Sequence, residues 1–128
     1  MEFPTDLLYT NDHEWIRKTD DNTLIVGITT FAVEQLGDIT IVELPEVGDK
    51  LKATEVFGTV ESVKAVSDLF TPVTGTVKKI NGELDDAPEL VNDNPYDRGW
   101  MVEIEPADTN LDGLLSHDDY AKLVAEAD

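Results

Sequence analysis

Gly58-Thr59-Val60-Glu61-Ser62-Val63-Lys64-Ala65-Val66-Ser67-Asp68 places one lysine between two β-like runs with almost no loop. Before it, Val56, Gly58 and Val60 alternate with Phe57, Thr59 and Glu61, the period of two that marks a strand. After it, Ala65 to Val73 is a second run. A tight hairpin built from these segments puts Lys64 at its tip, in water. A covalent attachment site takes this form, because a modifying enzyme must reach the amine from outside and a rigid frame must fix its position. Lysine's long stem and primary amine also suit an amide-linked carrier group. The spacing fits an ordinary exposed turn lysine equally well.

Strand-like segments continue in both directions. Glu14 to Lys18 and Thr23 to Ile28, separated by Asp20-Asp21-Asn22, form a hairpin pattern. Thr30 to Leu36 is a short helix candidate, with Thr30 as N-cap and Gly37 just past its end. Ile39 to Leu44 is a strand ended by Pro45, and Glu46 to Asp49 is a turn. Thr76 to Ile80 is closed by Asn81-Gly82. Asp85 to Asp97, rich in Asp, Asn and Pro, reads as irregular. Trp100 to Glu105 alternates again until Pro106. From Leu111 the three/four spacing of Leu111, Leu114, Leu115, Tyr120, Leu123 and Val124 predicts a helical tail, and Ser116-x-x-Asp119 resembles a capping box. Pro45-x-x-Gly48 returns 27 positions later as Pro72-x-x-Gly75. Two β-halves related by a pseudo-twofold would produce this, and so would chance.

Composition bounds the chemistry. The 128 residues carry 9 Lys plus Arg against 28 Asp plus Glu, a net charge of −19. A surface of that sign repels phosphate, which argues against nucleic acid and anionic membrane as partners. With 41% hydrophobic residues the chain nonetheless has the means to build a core. No apolar run approaches the roughly 20 residues that span a bilayer. Cysteine is absent, which removes disulfides, thiolate nucleophiles and zinc–thiolate sites. His13 and His117 are the only histidines, too few for a convincing metal centre. The acidic N-terminus lacks the marks of a signal or transit peptide, so a cytoplasmic protein of prokaryotic origin is expected. The acid is spread along the chain and reads as solvating surface or as adaptation to high salt.

Glu61-Ser62-Val63-Lys64-Ala65-Val66-Ser67-Asp68, with Gly75 eleven residues after the lysine, resembles the lipoylation motif of the glycine cleavage system H-protein family. Asp12-His13-Glu14-Trp15, Val26-Gly27-Ile28-Thr29, Gly37-Asp38-Ile39, Val42-Glu43-Leu44-Pro45-x-x-Gly48 and Asn94-Pro95-Tyr96-x-x-Gly99-Trp100 look like further landmarks of that family. Biotin carriers place Met on both sides of the acceptor, where this chain has Val63 and Ala65. Lipoyl domains of 2-oxo acid dehydrogenases typically carry Asp-Lys-Ala.

The resemblance implies a mainly β fold, the barrel-sandwich hybrid, with a C-terminal helical extension. The implied layout is one carrier domain over 1–128, with a β core at about 7–106 and a helical tail at about 107–127. The implied cofactor is lipoic acid, amide-linked to Lys64 by a lipoyl-attaching enzyme. The implied role is a non-catalytic carrier of the aminomethyl group of glycine. Its partners would be the decarboxylating P protein, the aminomethyltransferase (T protein) and the dihydrolipoamide dehydrogenase (L protein). Carried over by motif, Glu14 and Asp68 line the cleft that shelters the loaded arm, with Asp12 at a more variable position. Read without the family, Glu14 is an exposed strand residue, Asp68 a turn carboxylate, His13 a structural or surface position, and Trp15 and Trp100 core aromatics. An alternative within the same fold is a relay that passes lipoate to other enzymes. A rival of another class is a calcium-binding module: Asp108, Asn110, Asp112, Ser116 and Asp119 fall at EF-hand spacing around Gly113, but no entering helix precedes them.

Overall fold

The computed structural model describes residues 3–107 and 113–127. In chain order the elements are β1 (Leu8–Tyr9), β2 (Glu14–Lys18), β3 (Leu24–Ile28), α1 (Thr30–Leu36), β4 (Ile39–Glu43), β5 (Lys50–Leu51), β6 (Val56–Ser62), β7 (Val66–Phe70), β8 (Gly75–Ile80), α2 (Glu83–Asp86), α3 (Leu90–Asp93), β9 (Val102–Pro106) and α4 (His117–Ala127). They form a six-stranded sheet in the order β1-β2-β3-β9-β8-β5 and a three-stranded sheet in the order β4-β6-β7. All the pairings are antiparallel. This is the barrel-sandwich hybrid with its C-terminal helix.

The inward side chains of both sheets close one core. Ile16, Val26, Val42, Val60, Leu69, Val77 and Ile104 are buried in it. A second cluster lies under the C-terminal helix, where Phe3, Tyr9, Trp15, Phe31, Tyr120 and Val124 pack together. Trp15 is wholly buried, and its indole N–H donates to the Pro95 carbonyl at 2.8 Å. Its β3 neighbour in register is Gly27, where a Cβ would stand 2.7 Å from the indole ring. The large residue therefore requires the absent one across the ladder.

Four local expectations are refined. The cap of α1 is Thr29, not Thr30: the Thr29 side chain accepts from the Ala32 amide. Asp85 to Asp97 is not wholly irregular, because α2 and α3 form there and bury Leu84, Leu90 and Val91. The tail is not helical over residues 113–116. Residues 108–112 lie outside the described residues, and Leu115 instead bridges to Tyr9 in antiparallel fashion. The helix begins at His117, where Ser116 Oγ accepts from the Asp119 amide at 3.2 Å as a capping serine does. The two Pro-x-x-Gly segments lead from the three-stranded sheet (β4, β7) into strands that pair with each other in the six-stranded one (β5, β8). Their glycines differ, however. Gly48 has φ +95° in a turn, whereas Gly75 opens β8.

Gly75 belongs to the quoted motif, but its demand is steric. A Cβ there would stand 2.4 Å from the Glu105 carbonyl oxygen and 3.0 Å from the Pro106 Cα, so the β8–β9 pairing would have to open. Gly75→Ala is expected to cost about 1–3 kcal/mol, the range of strained, overpacked sites. Urea denaturation reads this directly. A loss below about 0.5 kcal/mol, the ordinary range of surface changes, would contradict it.

Little of the acidity is paired. Among the described residues the ion pairs are Arg98–Glu83 at 4.0 Å, both well exposed, and His117–Asp118 at 3.2 Å, the latter only if the imidazole is protonated. Neither contributes much in water. The described residues also contain no helix long and apolar enough to cross a membrane.

Candidate functional site

The β6–β7 hairpin is in register as Thr59↔Asp68, Val60↔Ser67 and Glu61↔Val66, leaving Val63-Lys64-Ala65 as the loop. Ser62 organises it. Its amide donates to the Ala65 carbonyl at 2.8 Å, and its Oγ accepts from the Ala65 amide at 3.1 Å and the Lys64 amide at 3.4 Å. The Val63 amide reaches across to the Asp38 carbonyl at 3.3 Å, tying the tip to the start of the neighbouring strand β4. Lys64 is exposed at the tip, and its stem runs past Gly37, where a Cβ would lie 3.7 Å from the lysine Cε. Gly37 has φ +81°, so glycine serves the left-handed end of α1. Valines flank the amine in the open: Val63 is 81% exposed and Val66 64%. Ile41 continues this apolar row across the sheet through Glu61.

At the far end of β7 the structure forms a cavity of about 160 Å³. Thr10, Asp12 and Glu14 wall it on one side, Phe70 and Thr71 on another, and Gly113 and Leu114 on a third. Glu14 is 1% exposed and is no surface strand residue. Its Oε2 accepts from the Phe70 amide at 2.7 Å, and Thr10 Oγ1 lies 3.5 Å from Oε1. Thr10 Oγ1 also accepts from the Asp12 and Glu14 amides, both at 3.2 Å, which closes the turn between β1 and β2. Burial pushes the Glu14 carboxyl up to about 8, and the Asp12 charge pushes the same way, while the Phe70 amide and the Thr10 hydroxyl oppose. At neutral pH Glu14 therefore holds a proton and the exposed Asp12 supplies the neighbouring negative field. Such a pair can receive a cation: Glu14 releases its proton as the positive charge arrives.

Asp12 and Glu14 thus meet in one cavity, while Asp68 does not line it. Asp68 is exposed on β7, opposite Thr59 and two residues before Phe70. Asp68 and Phe70 share one face of the strand, so Asp68 stands on the line from Lys64 to the cavity. His13 is half-buried at the corner of the turn, its Nδ1 2.9 Å from the Tyr120 hydroxyl. Sequence reasoning passes over Thr10 and reads Tyr120 only as part of the apolar face of the tail helix; a threonine four residues before a buried glutamate is the one signal available for the former. Of the suggested calcium ligands, Asp108, Asn110 and Asp112 lie outside the described residues, and Ser116 and Asp119 are joined by the helix cap. A second cavity, about 380 Å³, opens at the β5–β8 edge between Lys50, Lys52 and Thr76, away from both features.

The geometry can be set beside known proteins. The family model of the glycine cleavage H-protein matches residues 7–127. This chain belongs to that family. It is 54% identical over 127 residues to the glycine cleavage system H protein of Brevibacillus brevis, covering 98% of this chain and 100% of the relative. Identity to the H protein of Bacillus pumilus is 50%, over 98% of this chain and 99% of that one. The crystal structure of a glycine cleavage system H protein from Mycobacterium marinum superposes with a TM-score of 0.88 at 41% identity, covering 96% of this chain and 99% of the other. The H-protein family thus accounts for the fold across nearly the whole chain.

Proposed function

We propose that this H-protein family member carries lipoate in amide linkage on Lys64 and presents it in turn to the P, T and L components of glycine cleavage, without catalysis of its own. The observation that carries the reading is Lys64 itself, an exposed primary amine on a loop pinned by Ser62 and Asp38, at the end of a hairpin. The residues fit the group. The acceptor amine is open to solvent, so an attaching enzyme can reach it. That enzyme must cover the flanking residues, and exposed Val63, Val66 and Ile41 offer it apolar contact.

Lipoate, when attached, supplies the sulfur chemistry that a chain without cysteine lacks. The protein supplies position and charge. Lys64 to Phe70 is six residues, at most about 20 Å at strand rise, and an extended lysine plus an eight-carbon acyl chain covers roughly 15 Å of it. An arm on Lys64 laid along β7 therefore points its end toward the cavity beside Phe70. There Glu14 and Asp12 would bind and orient a cationic amine by charge-assisted hydrogen bonds, each worth about 1.5–3 kcal/mol. The walls from Thr71 and Leu114 limit access of water. Asp68, on the route, adds a guiding negative charge. Bacterial relatives support work in the cytoplasm.

Reconstitution tests the proposal. With purified P protein, the lipoylated chain is expected to support exchange of bicarbonate into glycine, and the unmodified chain only background exchange. Failure of the lipoylated chain to support exchange would refute it.

A further inference from the structure

The C-terminal helix is joined to the cavity turn by a hydrogen-bond chain. The Ala32 amide donates to Thr29 Oγ1 at 3.3 Å, Thr29 Oγ1 lies 2.7 Å from the Tyr120 hydroxyl, and that hydroxyl lies 2.9 Å from His13 Nδ1. Thr29 and Tyr120 are wholly buried. The Thr29 hydroxyl hydrogen has the Tyr120 oxygen as its one acceptor among the described residues, so the arrangement that leaves no buried donor unpaired has Thr29 donating to Tyr120. The Tyr120 hydrogen is then committed to His13 Nδ1, which must be an unprotonated acceptor. Burial, opposed in part by the Asp12 charge, lowers the His13 pKa and favours this neutral form.

His13 is also the residue that turns the chain. Its φ is +66°, a left-handed conformation that non-glycine residues keep only where their surroundings hold them. Its carbonyl accepts from the Thr29 amide at 3.0 Å, and its ring rests 4.6 Å from that of Phe31. The residues on either side are Asp12 and Glu14, which enter the cavity. The segment leading into the helix adds two more wall residues, Gly113 and Leu114, and is fastened by the reciprocal Tyr9–Leu115 backbone pair at 2.7 and 2.8 Å.

We infer that Tyr120 is a positioning residue: by donating to His13 Nδ1 it locks the left-handed corner that aims Asp12 and Glu14 into the cavity, so that this one bond from α4, and not the apolar packing of the helix, sets the geometry of the carboxyl pair. The value of this for transfer rests on the carrier reading above; the coupling itself does not.

The test follows the Glu14 carboxyl by carbon-detected NMR titration in the full chain. Tyr120→Phe keeps the ring stacked on Tyr9, 4.6 Å away, and removes only the hydroxyl. The Glu14 midpoint is expected to fall from near 8 by about one pH unit or more as water reaches the loosened turn. Val124→Ala loosens α4 through the same apolar cluster without touching the bond, and is expected to leave the midpoint in place. At the other end, His13→Asn tolerates left-handed φ and offers an amide oxygen to Tyr120, so it should retain most of the shift, while His13→Ala loses it. An unchanged midpoint in Tyr120→Phe, or an equal fall in Val124→Ala, overturns the inference. If Tyr120→Phe does not fold, the His13 pair decides: equal midpoints in Asn and Ala overturn it. A fallen midpoint with undiminished bicarbonate exchange would uphold the coupling and count against the carrier's use of the cavity.

Discussion

Glu14→Gln is expected to make the protein more stable at neutral pH while making it a poorer carrier. In the fold the Glu14 carboxyl titrates near 8, against an ordinary value of 4.5. Between those values the folded chain holds a proton that the unfolded chain has released. The stability associated with this proton is fully present below about 4.5 and is lost as pH rises through 8. Glutamine imitates the protonated acid at every pH and keeps an oxygen for the Phe70 amide. At pH 7 the gain over the parent is about 3 kcal/mol, shrinking to nothing near pH 4.5. Urea unfolding at pH 5 and pH 8 measures it: the parent loses stability between the two relative to the variant. Parallel pH dependences would mean that Glu14 is ionised in the fold. The functional cost has the opposite sign, because glutamine cannot answer a cation with a negative charge. Bicarbonate exchange supported by the lipoylated variant is expected to fall tenfold or more, the equivalent of about 1.5–3 kcal/mol.

Lys64→Arg is expected to remove the activity and leave the fold alone. Arginine keeps the positive charge and the long stem, but its guanidinium stays protonated and does not accept an acyl group as an amine does. The position is exposed, and the loop is held by Ser62 rather than by the lysine side chain. Stability should stay within about 0.5 kcal/mol of the parent. Exchange in the reconstituted system should drop to background, about a thousandfold or more, a barrier change of at least 4 kcal/mol. Exchange near the parent's level in a stably folded Lys64→Arg protein would remove Lys64 from the account.

The parts of this molecule that sequence reasoning reaches are those governed by short-range pattern. The period of two before Lys64 and the second β-like run after it predict the hairpin. The ends of α1 and α4 show the limit of such patterns. Thr29 and Thr30 are equally good caps on paper, and only the backbone at Thr29, extended at ψ 165°, makes it the real one. Leu114 and Leu115 stand at helical spacing from Leu111 in the sequence, yet they pack on different apolar clusters because the chain there pairs with Tyr9 before the helix starts. The short helices α2 and α3 arise from tertiary burial of Leu84, Leu90 and Val91 in a stretch whose composition favours turns.

Glu14 is the instructive case at the candidate site. The family resemblance points to it, but nothing in its neighbours announces a buried acid. Its burial comes from β2 meeting the end of β7, 56 residues away in sequence. Likewise His13 and Tyr120 are 107 residues apart, and their bond follows from packing alone. The charge of −19, which first describes the whole surface, divides in the structure: among the described residues the great majority of acids are solvated, and one, Glu14, is withdrawn from water and neutral.

The most direct test of the central claim is to incubate the unmodified chain with a lipoyl-attaching enzyme and lipoate, then map the product by intact mass and peptide sequencing. The account predicts the addition of a single lipoyl group, on Lys64, with the other six lysines untouched. Modification at another lysine, or none at all under conditions that lipoylate an H protein of the family, would contradict it.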